Sequence, residues 1–294
     1  MSQPPQPTVA KDTAAAGSVV LTPAAATVPK AVVTDLDGTI VRPDETVSAA
    51  TVATVAALRA AGVPLVAATA RTPAGITVLG PLLAEVSAAV CCNGAIGVGQ
   101  AGAGVLWQHW LDDEVVADLA DHLTATWPKA GLGSYDGSSW LLSAGYYAAR
   151  GRRPRGPQRV VPLAEIRQRP ASTLAVCHPL LPAGQLAAEL TASGVLAGRA
   201  TIDFGADDVA DIAPPAATKG SGVRAALEHL AIDPATAIAF GDGRNDLSVV
   251  TIVGRFVAMA GGNPDLLAAA AVTTGSVTDD GFADFLRPVL GRPA

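Results

Sequence analysis

Short apolar runs rich in β-branched residues recur along this chain with helical patterns between them, and that rhythm limits the fold more than any other feature. The runs are Ala31 to Leu36, Val63 to Ala68, Ala88 to Cys92, Ala237 to Phe240, Phe256 to Ala260 and Val272 to Thr274. Helical patterns cover Ser48 to Ala61, Pro73 to Glu85, Gly220 to Ala231, Asn245 to Ile252 and Pro264 to Ala270. Strand and helix alternating in this way predict a parallel sheet covered by helices on both faces, a doubly wound, Rossmann-like α/β core. Such sheets bind their ligands beyond the carboxyl ends of the strands. The residues that follow each run are therefore where chemistry is expected.

Between Asn93 and about Asp211 the rhythm breaks. Asn93-Gly94 signals a tight turn. Short strands are expected at Gly104 to Trp110, Ser139 to Ser143, Thr173 to Cys177 and Thr201 to Phe204, with helices at Asp112 to Trp127 and Ala183 to Ser193. This reads as an α+β cap domain inserted into the core. The expected division is a disordered Pro/Ala/Thr-rich tail at 1–29, a core at 30–94 and 212–294, and a cap at 95–211, with substrate in the crevice between them.

Composition narrows the function. A chain of 294 residues, 50% of them hydrophobic, can bury a large core. Its three cysteines, Cys91, Cys92 and Cys177, form neither a disulfide framework nor a metal-ligand spacing, so a reducing, cytoplasmic setting is expected. The start lacks a basic segment followed by an apolar block. The uncharged run from Val86 to Trp107 is interrupted by Asn93-Gly94, so no membrane span is expected. A net charge of −6 and 4% aromatics argue against nucleic acid as a partner and leave a small molecule as the expected one.

Chemistry concentrates in Asp35-Leu36-Asp37-Gly38-Thr39, directly after the first run. On an extended backbone residues i and i+2 face the same side, so both acids can address one ligand, and Gly38 lets the chain turn away. Asp-Gly-Thr alone would be ordinary turn chemistry. It gains meaning from three further segments in order: Ala68-Thr69-Ala70-Arg71, Lys219-Gly220, and Gly241-Asp242-Gly243-Arg244-Asn245-Asp246. In phosphoryl transfer a carboxylate such as Asp35 can attack phosphorus and form an aspartyl-phosphate, while Asp37 acts first as acid and then as base. Asp35 and Asp242 offer the hard oxygen ligands that suit Mg²⁺. Thr69 can hold a phosphate oxygen beside helix-opening amides. Lys219 opens a helix, where an ammonium is misplaced against the macrodipole unless an anion lies close. Arg150, Arg152, Arg153, Arg155 and Arg159 crowd into one Gly- and Pro-rich run, either a device for steering anionic substrates or a solvated loop. His109 and His178 have no metal-binding spacing.

Together these segments resemble the haloacid dehalogenase superfamily of phosphohydrolases, and more narrowly its Cof-type sugar-phosphate phosphatase branch, in which an α/β cap follows the third core strand. The resemblance runs from about Lys30 to Leu290 and includes Cys92-Asn93-Gly94-Ala95 at the cap entrance. It implies a Mg²⁺-dependent phosphomonoesterase with Asp35 as nucleophile and Asp37 as acid and base. Asp35, Asp242 and the Asp37 carbonyl would hold the metal. Thr69, Lys219 and Asn245 would hold the phosphate, and Asp246 would orient Lys219 or a metal-bound water. Two positions depart from the family pattern: Ala70 stands where members usually have Gly, and Ala260-Gly261-Gly262-Asn263 follows Met259 where Gly-Asn-Ala is common. The expected activity is hydrolysis of a small phosphorylated metabolite, a sugar phosphate above all. A phosphomutase built from the same parts and a non-catalytic phospho-ligand sensor are the alternatives. The substrate itself and the oligomeric state are not specified by these motifs.

Overall fold

The computed structural model describes residues 28–150, 154–206 and 208–290. All but the last two residues of the expected 1–29 tail lie outside that range, as do Arg152 and Arg153 of the arginine run.

The first half of the core opens with strand β1 (Ala31–Thr34), helix α1 (Ala49–Ala60) and strands β2 (Leu65–Ala68) and β3 (Val86–Cys91). Ser48 caps α1 by accepting from the Thr51 amide, an arrangement worth about 1 kcal/mol. The helix expected at Pro73 to Glu85 is instead a run of 3₁₀ turns, Gly75–Glu85, broken at Gly80, whose φ is 54°. Pro81 explains the break, since it has no amide hydrogen and disfavours helical geometry in the residue before it.

After β3 the chain reverses at Asn93-Gly94 into β4 (Ile96–Val98) and β5 (Val105–Gln108). Both strands pair antiparallel onto the edge of the core sheet, β3 with β4 and β4 with β5. Residues 96–108, expected within the insertion, thus extend the large sheet. An antiparallel hairpin carries no crossover helix, so it breaks the strand–helix rhythm just as a separate domain does.

The smaller unit then runs through α2 (Asp113–Thr126), β6 (Gly131–Tyr135), β7 (Trp140–Leu142), α3 (Ala144–Arg150), β8 (Gln158–Val160), α4 (Leu163–Ile166), β9 (Thr173–Cys177), α5 (Ala183–Ser193), β10 (Thr201–Ala206) and β11 (Val209–Ala213). Its six strands lie in the order β10-β11-β9-β6-β7-β8. One face of this sheet packs on α2 and α5 through Leu119, Leu123, Leu186, Leu190, Leu174 and Ile212. The alternate residues Thr173, Ala175, Val209 and Asp211 face the other way, into the cavity above the core.

The chain returns through α6 (Lys219–His229), β12 (Ala237–Gly241), α7 (Leu247–Val250), β13 (Arg255–Met259), α8 (Pro264–Ala269), β14 (Val272–Thr274) and α9 (Gly281–Leu290). The core sheet has the order β14-β13-β12-β1-β2-β3-β4-β5, parallel from β14 to β3. Alternation along β1 sends Val32 to one side, with Val55 and Leu58 of α1 and Phe282 and Leu286 of α9. Ala31 and Val33 face the other, with Val223 and Leu227 of α6 and Leu266 of α8. The fold is thus a doubly wound α/β core carrying an α+β cap. Among the described residues no helix is long and apolar enough to cross a membrane.

Candidate active site

β1 and β12 are neighbours in register, Thr34 opposite Phe240, and the Asp35 amide continues the ladder to the Phe240 carbonyl at 2.9 Å. Asp35 and Asp242 therefore leave the sheet side by side at its carboxyl edge. Thr69 leaves β2 at the same edge, its amide bonded to the Val90 carbonyl at 2.8 Å. Three segments scattered over more than 200 positions meet here because the parallel strands that carry them end on one side of the sheet.

Lys219 is the centre of this meeting. Its ammonium lies 3.0 Å from Asp35 Oδ1 and 2.8 Å from Asp246 Oδ1, and its side chain is wholly buried. Thr218 caps α6 and exchanges hydrogen bonds with Ser221, which fixes the helix start that carries the lysine. Burial alone would lower the lysine pKa. The Asp246 and Asp35 charges more than offset that and the net shift is upward, so Lys219 stays cationic.

Asp246 braces the loop as well as the lysine. Its Oδ2 accepts from the amides of Asp242 at 3.1 Å and Gly243 at 2.9 Å. Asp35 Oδ1 accepts from the Leu36 amide at 2.7 Å, and Asp242 Oδ1 accepts from the Thr39 hydroxyl at 3.0 Å. Gly38, with φ of 77°, lies so close that any Cβ there would collide with the Asp242 carboxylate. The Ala260-Gly261-Gly262-Asn263 segment closes on the same loop, the Asn263 amide donating to the Asp242 carbonyl at 2.8 Å.

The donor set fits a divalent cation. One carboxylate oxygen from each of Asp35, Asp242 and Asp246 lies within 4.8 Å of the other two. Three carboxylates and one ammonium leave two uncompensated negative charges in a buried place, and hard anionic oxygens are what Mg²⁺ takes. Burial, reinforced by Asp246 and Asp242, pushes the Asp35 carboxyl well above its usual range in spite of Lys219. Burial and the Asp246 charge push Asp242 up to about 6.

Asp37 behaves differently from its neighbour two residues back. Its carboxylate is half exposed and is gripped by the Arg71 guanidinium, Nε to Oδ2 at 2.7 Å and Nη2 to Oδ1 at 2.6 Å. The carboxylate is turned to Arg71 and lies outside the Asp35, Asp242 and Asp246 group. Arg71 had no assigned role in the sequence, although it stands two residues after Thr69 just as Asp37 stands two after Asp35. Glu45 pairs with Arg71 at 3.4 Å and with Arg155 of the cap. Of the arginine run, Arg150 and Arg155 line the cavity, while Arg159 pairs with Glu165 on the cap surface at 2.8 Å.

Asp35, Asp37, Thr69, Arg71, Asp242 and Asn245 line a cavity of about 420 Å³ between the carboxyl edge of the core sheet and the open face of the cap sheet. Such a volume is in the range of small-molecule sites. Trp140, Thr173, Ala175 and Asp211 form its cap side. Burial pushes the Asp211 carboxyl up to about 7, against the lowering effects of Arg150 and the Asn93 side chain.

A family model described as haloacid dehalogenase-like hydrolase matches residues 32–286, nearly the whole described chain. The chain belongs to this family. Solved structures share the fold of this hydrolase at low sequence identity. The subclass IIB sugar phosphatase BT4131 is 21% identical, with a TM-score of 0.76 over 88% of this chain and 98% of that one. The protein SMU.1108c of Streptococcus mutans is 17% identical, with a TM-score of 0.79 over 90% of this chain and 100% of that one. The phosphatase BT1666 of Bacteroides thetaiotaomicron is 17% identical, with a TM-score of 0.75 over 93% and 99%. A stretch of 86 residues, 29% of this hydrolase, is 36% identical to part of a chloroplastic endoribonuclease of Arabidopsis thaliana, YBEY, of which it spans only 15%.

Proposed function

We propose that this hydrolase is a Mg²⁺-dependent phosphatase that removes phosphate from a small phosphorylated metabolite, a sugar phosphate above all, through an aspartyl-phosphate on Asp35. The observation that carries this reading is the grouping of Asp35, Asp242 and Asp246 around the buried Lys219, with Asp35 and Asp242 opening onto the cavity. The similar fold of a sugar phosphatase supports the choice of substrate class.

In this mechanism Asp35 and Asp242, with the Asp37 carbonyl, would hold the cation, which would supply the charge neutralisation that lets one anion approach another. Lys219, Thr69 and Asn245 hold the phosphate oxygens. Asp35 attacks phosphorus, the bond to the leaving oxygen breaks, and Asp37 gives that oxygen its proton. Asp37 is then ionised, and it takes a proton from the water that attacks the phosphorus of aspartyl-phosphate. The phosphorus–Asp35 bond breaks and inorganic phosphate leaves. One carboxyl group serves both halves because the first leaves it in the form the second needs.

Phosphate release from a panel of sugar, polyol and aryl phosphates, with and without Mg²⁺, tests the reading. Metal-dependent release that disappears in Asp35→Asn supports it. Undiminished release in that variant rejects it, and an isomerised sugar phosphate in place of free phosphate would mark a mutase.

A further inference from the structure

The Asn93-Gly94 turn supplies neither the nucleophile nor a metal ligand, yet it touches each element that holds phosphate in the reading above. The Asn93 amide donates to the Thr69 carbonyl at 3.1 Å. Its side-chain oxygen accepts from Asn245 Nδ2 at 3.0 Å, between two buried side chains 152 positions apart. Gly94 packs so closely on the carbonyl of Thr218, the residue before Lys219, that no Cβ would fit. Asn93 itself has φ of 51°, in the left-handed region that Asn tolerates better than most residues.

A side-chain amide has ends of opposite polarity, one donating and one accepting. The contact between the two buried amides fixes which end of each faces the other, the Asn93 oxygen accepting and the Asn245 NH₂ donating. That oxygen requires a donor, so Asn245 must present its own NH₂, with one hydrogen on Asn93 and the second left for an acceptor. Asn245 lines the cavity, and a phosphate oxygen is such an acceptor. With Asn93 reversed, Asn245 would show its carbonyl oxygen to the phosphate instead.

We propose that Asn93 is a positioning residue that sets the polarity of the Asn245 amide for the phosphate. The proposal rests on the phosphatase reading for the role of Asn245.

The test is calorimetric binding of inorganic phosphate to the Mg²⁺-loaded protein, beside steady-state kinetics on an aryl phosphate. Asn93→Gly keeps the left-handed backbone and removes the side chain. The phosphate Kd and the KM should each rise about tenfold, the scale of one charge-assisted hydrogen bond, while kcat changes by less than about threefold. In an Asn245→Ala background the same substitution should change Kd by less than about twofold, because the two residues act as one unit. An unchanged Kd, or an equal loss in both backgrounds, overturns the proposal. Should Asn93→Gly not fold, Asn93→Ala decides: a raised phosphate Kd is expected, and an unchanged one overturns it. Wild-type protein that binds phosphate but hydrolyses no ester rejects the phosphatase reading and leaves the positioning role standing. Wild-type protein that binds no phosphate removes both.

Discussion

The guanidinium of Arg71 holds the carboxylate of Asp37 by two nitrogens, at 2.7 and 2.6 Å. A planar fork fixes the direction of a carboxylate in a way that a single charge does not. Asp37 stands at the exposed lip of the site, and among the described residues Arg71 alone grips both its oxygens, so its aim depends on this contact.

Arg71→Lys should therefore keep the charge and lose the aim. A fall in kcat of about ten- to a hundredfold is expected, in line with the cost of misplacing a catalytic group. Because the pair is partly exposed, thermal stability should change little. Steady-state kinetics beside a melting curve checks this, and unchanged kcat would separate Arg71 from the work of Asp37.

Lys219→Met should act on stability as well as turnover. It leaves Asp35 and Asp246 buried without their cation, and breaking a buried pair from one side costs about 3–5 kcal/mol. Urea unfolding of the metal-free protein measures the loss. A loss below about 1 kcal/mol would mean that the lysine is not the counter-charge the geometry indicates.

Gly38→Ala probes the packing of Asp242. The added methyl group meets the Asp242 carboxylate at a backbone φ of 77°, so either the carboxylate moves or the turn does. Weakening of Mg²⁺ binding by about tenfold or more is expected, the scale on which a misplaced ligand or its support acts. Calorimetric titration with Mg²⁺ gives the answer, and wild-type affinity would show that Asp242 is not needed where it stands.

Stability should vary with pH in a direction set by the crowded carboxylates. Asp242 is raised to about 6 and Asp211 to about 7, while both are ordinary carboxyls once unfolded. Between pH 4 and 7 the folded protein thus binds more protons than the unfolded chain, so the metal-free protein gains stability as pH falls from 8 toward 5. Added Mg²⁺ should stabilise the protein at pH 8, and this gain should fade below about pH 6 as protons compete for Asp242. Melting curves across pH with and without Mg²⁺ decide it. A metal-free Tm that falls from pH 8 to pH 5.5 would contradict the assignment.

The core motifs were legible because parallel strands end on one side of their sheet. Once Asp35, Thr69 and Asp242 each follow an apolar run, the fold has little freedom in where to bring them. Lys219 was legible for a different reason, as an ammonium at a helix start that needs an anion close by. The contacts across the cavity were not legible. Arg155 lies in the cap and Glu45 in the core, and their meeting depends on how the two units face each other, which no periodicity records. Arg71 was hidden by ambiguity, since a lone arginine after a turn reads as solvated. The hairpin from Ile96 to Gln108 was legible as a hairpin but assigned to the cap, because it has no helix to keep the rhythm, and the helix Gly281–Leu290 was missed, because Pro288 inside it disguises a face made by Phe282, Ala283, Leu286 and Val289.

The account's central claim is covalent, and trapping the phosphoenzyme tests it most directly. Asp37→Asn protein is mixed with an aryl phosphate and Mg²⁺, quenched in acid, reduced with borohydride and mapped by mass spectrometry. The phosphorylated residue should be Asp35 alone, accumulating because the base for its hydrolysis is gone. Phosphate mapped to another side chain, or steady phosphate release with no label on Asp35, would contradict the account.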